Sequence, residues 1–225
     1  GVTGTNGKSS TVQYVAHILE HAGMRVGFTS TVSFKVAERE WMNDKKMTML
    51  GRFQTQKLLK EMVDAGCTHA VIETSSQGIA QSRHVGIDYD VVVFTNLTPE
   101  HIEAHGGFES YKAAKVKLFS TTAALSRKTL NGVTVDKSAV VNINDDHASV
   151  FLDHPFDRRY AFGQTDEHQL VAKFGATPVM ARDVIFDSSG TTFSIDDRAF
   201  QLSLIGRFVF LNVLSAIATV RALGV

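Results

Sequence analysis

Gly1-Val2-Thr3-Gly4-Thr5-Asn6-Gly7-Lys8-Ser9-Ser10 decides how the rest of the chain is read. Glycines let the backbone curl so that successive N–H groups face one point, and Lys8 adds a point charge there. Directly after, Val12, Val15, Ile18, Leu19 and Ala22 recur at helical spacing, with Gly23 placed to end the helix. A helix starting near Lys8 aims its positive end at the loop, and the Ser9 hydroxyl suits Mg²⁺. The spacing departs from the common G-x-x-x-x-G-K-[ST], because Val2 stands where a glycine is usual and Gly1 lies one residue too early. A dinucleotide fingerprint competes, but Gly4 and Gly7 fall three apart and Lys-Ser follows. An ordinary glycine-rich turn is the bland alternative. Nucleotide phosphate binding by Gly4, Thr5, Asn6, Gly7, Lys8, Ser9 and Ser10 is the expectation.

Outward from that loop, residues 25–36 are β-rich and lead into a polar excursion around Trp41. Phe53, Leu58, Leu59, Met62 and Val63 mark a second helix, closed by Gly66. Ala70-Val71-Ile72, Val91-Val92-Val93-Phe94 and Ala139-Val140-Val141-Asn142-Ile143 are short continuous apolar runs of the buried parallel-strand type. Residues 108–125 and 208–223 read as further helices. Between them, residues 160–162, 170–174, 184–186, 191–195 and 200–204 read as short β-like runs, predicting a small, partly antiparallel extension over roughly 153–205. The fold class expected is α/β: a mainly parallel sheet flanked by helices, with a small β-rich edge. The strand that should precede the glycine-rich loop is nearly absent, and residue 225 follows directly on an apolar helix. Both ends are expected to be cuts in a longer protein.

The 225 residues are 44% hydrophobic and 20% charged, enough for a packed core. Lys plus Arg and Asp plus Glu are 23 each, which argues against a nucleic-acid partner held by a broadly basic surface. Cys67 is the one cysteine, so no internal disulfide and no multi-cysteine zinc site can form. No apolar run approaches the ~18 residues of a membrane span. A cytoplasmic protein without a membrane partner is expected.

Glu73 follows Ala70-Val71-Ile72, and His101 follows the strand ending at Phe94, so both fall at carboxyl strand ends, where open α/β sheets bind ligands. With Ser9 they make a hard-metal site suited to Mg²⁺; alone, each would read as a solvated strand end or a loop histidine. Lys112, Lys115 and Lys117 on one helix read as a solvated basic face.

Thr3-Gly4-Thr5-Asn6-Gly7-Lys8-Ser9, Glu73-Thr74-Ser75-Ser76-Gln77-Gly78, Asn96-Leu97-Thr98-Pro99-Glu100-His101 with His105-Gly106, and Tyr111-Lys112-Ala113-Ala114-Lys115 resemble the Mur ligases in order and spacing. The likeness is to their central ATPase domain over the whole chain. It is dense up to Phe119, and afterwards it rests on Leu204-Ile205-Gly206-Arg207-Phe208 with Asn212. Among the branches it is nearest the one that adds the third amino acid to UDP-N-acetylmuramoyl-L-alanyl-D-glutamate.

The resemblance implies an ATP-dependent ligase working through an acyl phosphate. It makes Lys8 the holder of the β/γ-phosphates, Ser9 and Glu73 ligands of one Mg²⁺, and His101 a ligand of a second metal. Lys115 becomes a carbamylated lysine, also a metal ligand. That requires a neutral amine, hence a pKa depressed by burial or nearby cations. Lys8, His101 and Lys115 are thus the catalytic set; Thr48, Ser75, Gln81 and Arg83 contact the UDP-N-acetylmuramoyl dipeptide; Asn212 lies near the adenine. Gln77 replaces a usual His, Glu100 a usual Asp, Val209 a usual Asn, and Met47-Thr48-Met49-Leu50 a usual Asn-Thr-Thr-Pro/Gly. Two alternatives stay open: another superfamily member, such as a folate polyglutamate-adding enzyme, or a module that binds ATP and Mg²⁺ without ligase activity. Which amino acid is added does not follow from the residues present.

Overall fold

The computed structural model describes residues 1–100, 103–164 and 168–225. The chain begins with β1 (Val2–Thr3), α1 (Lys8–His21), β2 (Val26–Thr29), β3 (Ser33–Val36), β4 (Arg39–Met42), α2 (Arg52–Asp64), β5 (His69–Ile72) and α3 (Ser76–Ala80). It continues through β6 (Val91–Phe94), α4 (Phe108–Ala123), a hairpin of β7 (Lys128–Leu130) and β8 (Val133–Val135), β9 (Ser138–Asn142) and α5 (Ala148–Leu152). Last come β10 (Arg158–Gly163), α6 (His168–Phe174), β11 (Thr177–Met180), β12 (Arg182–Asp187), β13 (Gly190–Ile195), β14 (Arg198–Leu202) and α7 (Arg207–Ala222).

Five strands pair in parallel in the order β1-β6-β9-β10-β11, and a second sheet runs β4-β3-β2-β5. In that second sheet β2 and β5 are parallel while β3 and β4 are antiparallel. A parallel bridge from Val2 to Glu73 joins the two. The chain goes from β1 to one side, to β2, and later crosses from β5 to β6 on the other side. The carboxyl ends around β1 are therefore where successive connections diverge, the place in such sheets where a ligand crevice opens.

Side chains alternate across this sheet as the period of two demands. Val91, Val93, Val140, Tyr160 and Phe162 face α1, α7 and the antiparallel strands β12–β14. Val92, Phe94, Ala139, Val141 and Ala161 face α3, α4 and α5. On that second face Phe94 stacks on Phe151 with centroids 3.7 Å apart, and Phe119 meets Phe151 edge-on. Each such fully buried ring contributes about 1.5–3 kcal/mol. No helix among the described residues is long and apolar enough to cross a membrane.

The expected α/β architecture is present, with corrections. The run 170–174, expected as β-like, is helix α6. Leu170, Val171 and Phe174 lie on one helical face packed on the second core, and Gly175 at φ +58 ends it. Consequently β10, α6 and β11 form one more βαβ unit, with Tyr160↔Thr177 in parallel register. The antiparallel extension is confined to β12–β14. The excursion around Trp41 is strand β4, where Trp41 pairs with Phe34.

Candidate active site

Both loop glycines are required by close approach. A Cβ on Gly4 would lie 1.9 Å from Thr95 Oγ1, and one on Gly7 2.0 Å from Asn212 Oδ1; their φ values are +153° and +82°. Gly7 caps α1 without a side-chain acceptor, so the first-turn N–H groups point into the loop unpaired by any cap.

The loop is braced from the segment after β6. The Thr5 N–H donates to the Asn96 carbonyl (2.8 Å), and Thr5 Oγ1 accepts from the Thr98 N–H (3.0 Å) and hydrogen-bonds the Tyr111 hydroxyl (3.0 Å). Asn96 Oδ1 accepts the Asn6 N–H at 2.8 Å, while Asn96 Nδ2 (3.0 Å) and Thr95 Oγ1 (2.7 Å) both donate to the Asn6 carbonyl. Asn6 Nδ2 donates to Glu100 Oε1 (3.0 Å).

Beside the loop opens a cleft of about 350 Å³. Gly4, Thr5 and Lys8 form one wall, Lys46, Met47, Thr48 and Met49 another, and Ser75, Ser76, Gln77, Arg83, His105, Tyr111 and Lys115 close it. The Lys8 ammonium folds onto its own loop, donating to the Thr5 carbonyl (2.7 Å). Burial lowers its pKa, against the pull of Glu73 and Glu100. Lys115, 1% exposed, donates to the Gly4 carbonyl (2.6 Å) and lies 4.3 Å from the Tyr111 ring centroid. Burial, then the neighbouring Lys8 charge, pulls its pKa down to about 6. The depressed lysine expected from the sequence is therefore present. Its helix neighbours behave differently: Lys112 pairs with Glu109 at 2.7 Å and Lys117 is exposed, so the three lysines are not one basic face.

Glu73 is not a solvated strand end. It is 1% exposed, and its Oε2 accepts from the Ser9 hydroxyl (2.7 Å) and the Thr31 N–H (2.7 Å). The Thr31 hydroxyl reaches Glu73 Oε1 (3.0 Å) and Thr48 Oγ1 (3.1 Å), linking this pair to the cleft wall. A hydroxyl and a carboxylate oxygen side by side are hard donors of the type Mg²⁺ takes. Among the described residues no group of three or more His, Cys, Asp or Glu side chains converges on one point. His101 lies outside the described residues.

Of the remaining expected residues, Ser75 caps α3 by accepting the Gly78 N–H (3.1 Å), and Arg83 Nη1 donates to the Met49 carbonyl (2.6 Å). Both face the cleft, as does Thr48. Gln81 is exposed at the end of α3, outside the cleft lining. Asn212 presses on Gly7 from α7, and Ser10 is half-buried in the first turn of α1.

In and beside the cleft are residues to which the sequence reading gave no role of their own. His105 Nε2 is 3.1 Å from Ser76 Oγ, and burial and then Lys115 lower its pKa. Tyr111 stands four residues before Lys115, so the two share one helix face, a relation available from spacing alone. Thr31 sits just beyond the carboxyl end of β2, the same signal that singled out Glu73. A larger cavity, about 420 Å³, opens among Val15, Leu19, Leu59, Met62 and Leu223. It is mainly apolar and includes neither Lys8, Lys115 nor residues 4–9 of the loop, so the chemistry belongs to the smaller cleft.

Fold and site together define an α/β domain with a ligand cleft at the carboxyl edge of its central strands. The description of the Mur ligase middle domain matches residues 2–220, and the chain belongs to that family. It is 35% identical over 231 residues to a UDP-N-acetylmuramyl-tripeptide synthetase of Roseiflexus sp. (strain RS-1), covering 100% of this chain and 44% of that protein. It is 32% identical over 228 residues to a UDP-N-acetylmuramoyl-L-alanyl-D-glutamate–2,6-diaminopimelate ligase of Bacillus velezensis, covering 100% of this chain and 43% of that one. A solved structure of a ligase bearing that second name superposes with a TM-score of 0.81 at 25% identity, covering 100% of this chain and 43% of its own. The chain thus spans less than half the length of these relatives.

Proposed function

We propose that this chain is the ATP-binding domain of a cytoplasmic ligase that adds the third amino acid to UDP-N-acetylmuramoyl-L-alanyl-D-glutamate. The observation that carries the reading is the convergence of Lys8, Lys115, Arg83 and the braced glycine-rich loop on one cleft at the carboxyl ends of the central strands. Two cations, Lys8 and Arg83, and a helix N-terminus suit a polyanion made of ATP and a carboxylate substrate.

In this reading Lys8 leaves the Thr5 carbonyl for the β/γ-phosphates, joined by the N–H groups of Gly7 through Ser10. Arg83, with Thr48, Ser75 and Gln81, orients the muramoyl dipeptide so that its D-glutamate side-chain carboxylate faces the γ-phosphate. The carboxylate oxygen attacks phosphorus and ADP departs, leaving an acyl phosphate. The incoming amine, as its free base, attacks the acyl carbon; the tetrahedral intermediate gives up a proton from nitrogen and breaks its C–O bond, releasing the amide and phosphate, which carries that proton away. Little covalent work falls to the protein beyond alignment and charge neutralisation. Ser9 and Glu73 would hold Mg²⁺, with His101 and carbamylated Lys115 at a second metal; bound there, Mg²⁺ supplies positive charge to the transferring phosphoryl group. Lys115 suits carbamylation because its amine is neutral at physiological pH. Asn212, against the loop from α7, is the adenine-side residue. Nucleic acid and membrane have no part in this chemistry.

The test is phosphate release by a polypeptide carrying this chain with the rest of the length its relatives have. It is given ATP, Mg²⁺ and either the UDP-muramoyl dipeptide or folates, each with a panel of amino acids. Turnover of the dipeptide is the expected result. Turnover of folates alone overturns the assignment, and release with neither reduces the chain to a nucleotide-binding module.

A further inference from the structure

We propose that Asn96 and Thr95 are positioning residues that set the direction of the peptide unit between Asn6 and Gly7, turning the Gly7 N–H toward a bound phosphate. The inference rests on the phosphate-binding reading above. Asn96 grips a single residue at both ends, through the Asn6 N–H (2.8 Å) and the Asn6 carbonyl (3.0 Å). Thr95 Oγ1 adds a second donor to that same carbonyl at 2.7 Å.

The Asn6 carbonyl and the Gly7 N–H belong to one peptide unit. No cis bond occurs among the described residues, and in a trans unit the C=O and N–H point in opposite directions. A carbonyl fixed against Thr95 and Asn96 therefore sends the Gly7 N–H away from them, to join the unpaired first-turn N–H groups of α1. Turned over, the unit would present a carbonyl oxygen to the anion instead. Gly7, at φ +82°, offers little steric resistance to that rotation, so the orientation has to be imposed from outside the loop. The brace is itself anchored: Asn142 Nδ2 donates to the Thr95 carbonyl (2.7 Å), and Asp145 Oδ2 accepts the Leu97 N–H (2.6 Å). Residues at the end of β9 thus steady a loop more than 130 positions earlier through two relays.

The test uses this chain with inorganic tripolyphosphate and Mg²⁺–AMP-PNP as probes, reading Kd by calorimetry and the Gly7 amide by ¹⁵N NMR. Thr95→Val keeps the shape and removes the hydroxyl, Thr95→Ser keeps the hydroxyl, and Asn96→Ala removes both arms of the grip. The expected results are about three- to tenfold weaker tripolyphosphate binding in Thr95→Val, and recovery to within about twofold in Thr95→Ser. Asn96→Ala is expected to weaken binding by about tenfold or more and to lose the phosphate-induced shift of the Gly7 amide. Equal losses in Thr95→Val and Thr95→Ser would reduce Thr95 to packing and overturn the proposal. If Lys8→Ala loses binding while all three variants bind as the unsubstituted chain does, the positioning role fails and the phosphate reading stands. Unchanged binding in Lys8→Ala removes both.

Discussion

Replacing Lys115 by methionine should change how stability depends on pH. The amine is 1% exposed, and burial together with Lys8 brings its pKa from 10.5 to about 6. The unfolded chain keeps that proton up to about pH 10.4, whereas the folded chain has lost it above about pH 6. Between these limits unfolding takes up one proton, so stability rises with pH by at most about 1.4 kcal/mol per unit. Below the folded pKa both states are protonated, the slope vanishes and the full cost of burying the charge is present. Methionine has a similar length and does not titrate, so Lys115→Met loses this contribution. It also leaves the Gly4 carbonyl without its 2.6 Å donor, a penalty of about 1–3 kcal/mol that does not vary with pH. The assay is urea denaturation of both proteins in bicarbonate-free buffer from about pH 6.5 to about pH 8.5. Over that range the stability of the lysine form relative to Lys115→Met should rise by roughly 2–3 kcal/mol. A difference that stays flat across the range refutes the neutral buried amine.

Three further outcomes follow from the geometry. Glu73→Gln keeps the shape that meets Ser9 and Thr31 but removes the charge; calorimetry should show the Mg²⁺-dependent part of ATP-analogue affinity falling by about tenfold, with Mg²⁺-free affinity not reduced. Gly7→Ala places a Cβ 2.0 Å from Asn212 Oδ1 at φ +82°, and should lower stability by about 1–3 kcal/mol in thermal melts while weakening nucleotide binding. ¹³C-labelled bicarbonate should give a carbamate resonance at about pH 8 that is weaker at about pH 6 and absent in Lys115→Met; a resonance that survives the substitution places the carbamate elsewhere.

What the sequence disclosed follows from how local each signal is. The first helix and the buried strands of the central sheet are written in short-range periodicity, and Gly4, Gly7 and Lys8 are adjacent in the chain. The run 170–174 misleads because four apolar residues within five fit a strand as well as a helix, and only packing on the second core chooses. Strand β4 was obscured because it is an exposed edge, with Arg39 and Glu40 facing solvent. At the site, Glu73 and Lys115 could be singled out, one by its place after a strand, the other through the family motif. Beyond the pairing of Ser9 with Glu73, the contacts that hold them are not legible in the sequence, because they form over long separations. Thr31 meets Glu73 across 42 residues, and Lys115 meets Gly4 across 111. The two-ended grip of Asn96 on Asn6 spans 90 residues, and no spacing rule reaches that far.

The central claim is that the loop from Gly4 to Ser9 binds nucleotide phosphates, and a titration of Mg²⁺–AMP-PNP against the folded chain and its Lys8→Ala variant tests it most directly. Saturable binding that falls by about a hundredfold or more in Lys8→Ala, with the variant still folded, is the predicted result. Equal binding by both proteins would contradict it.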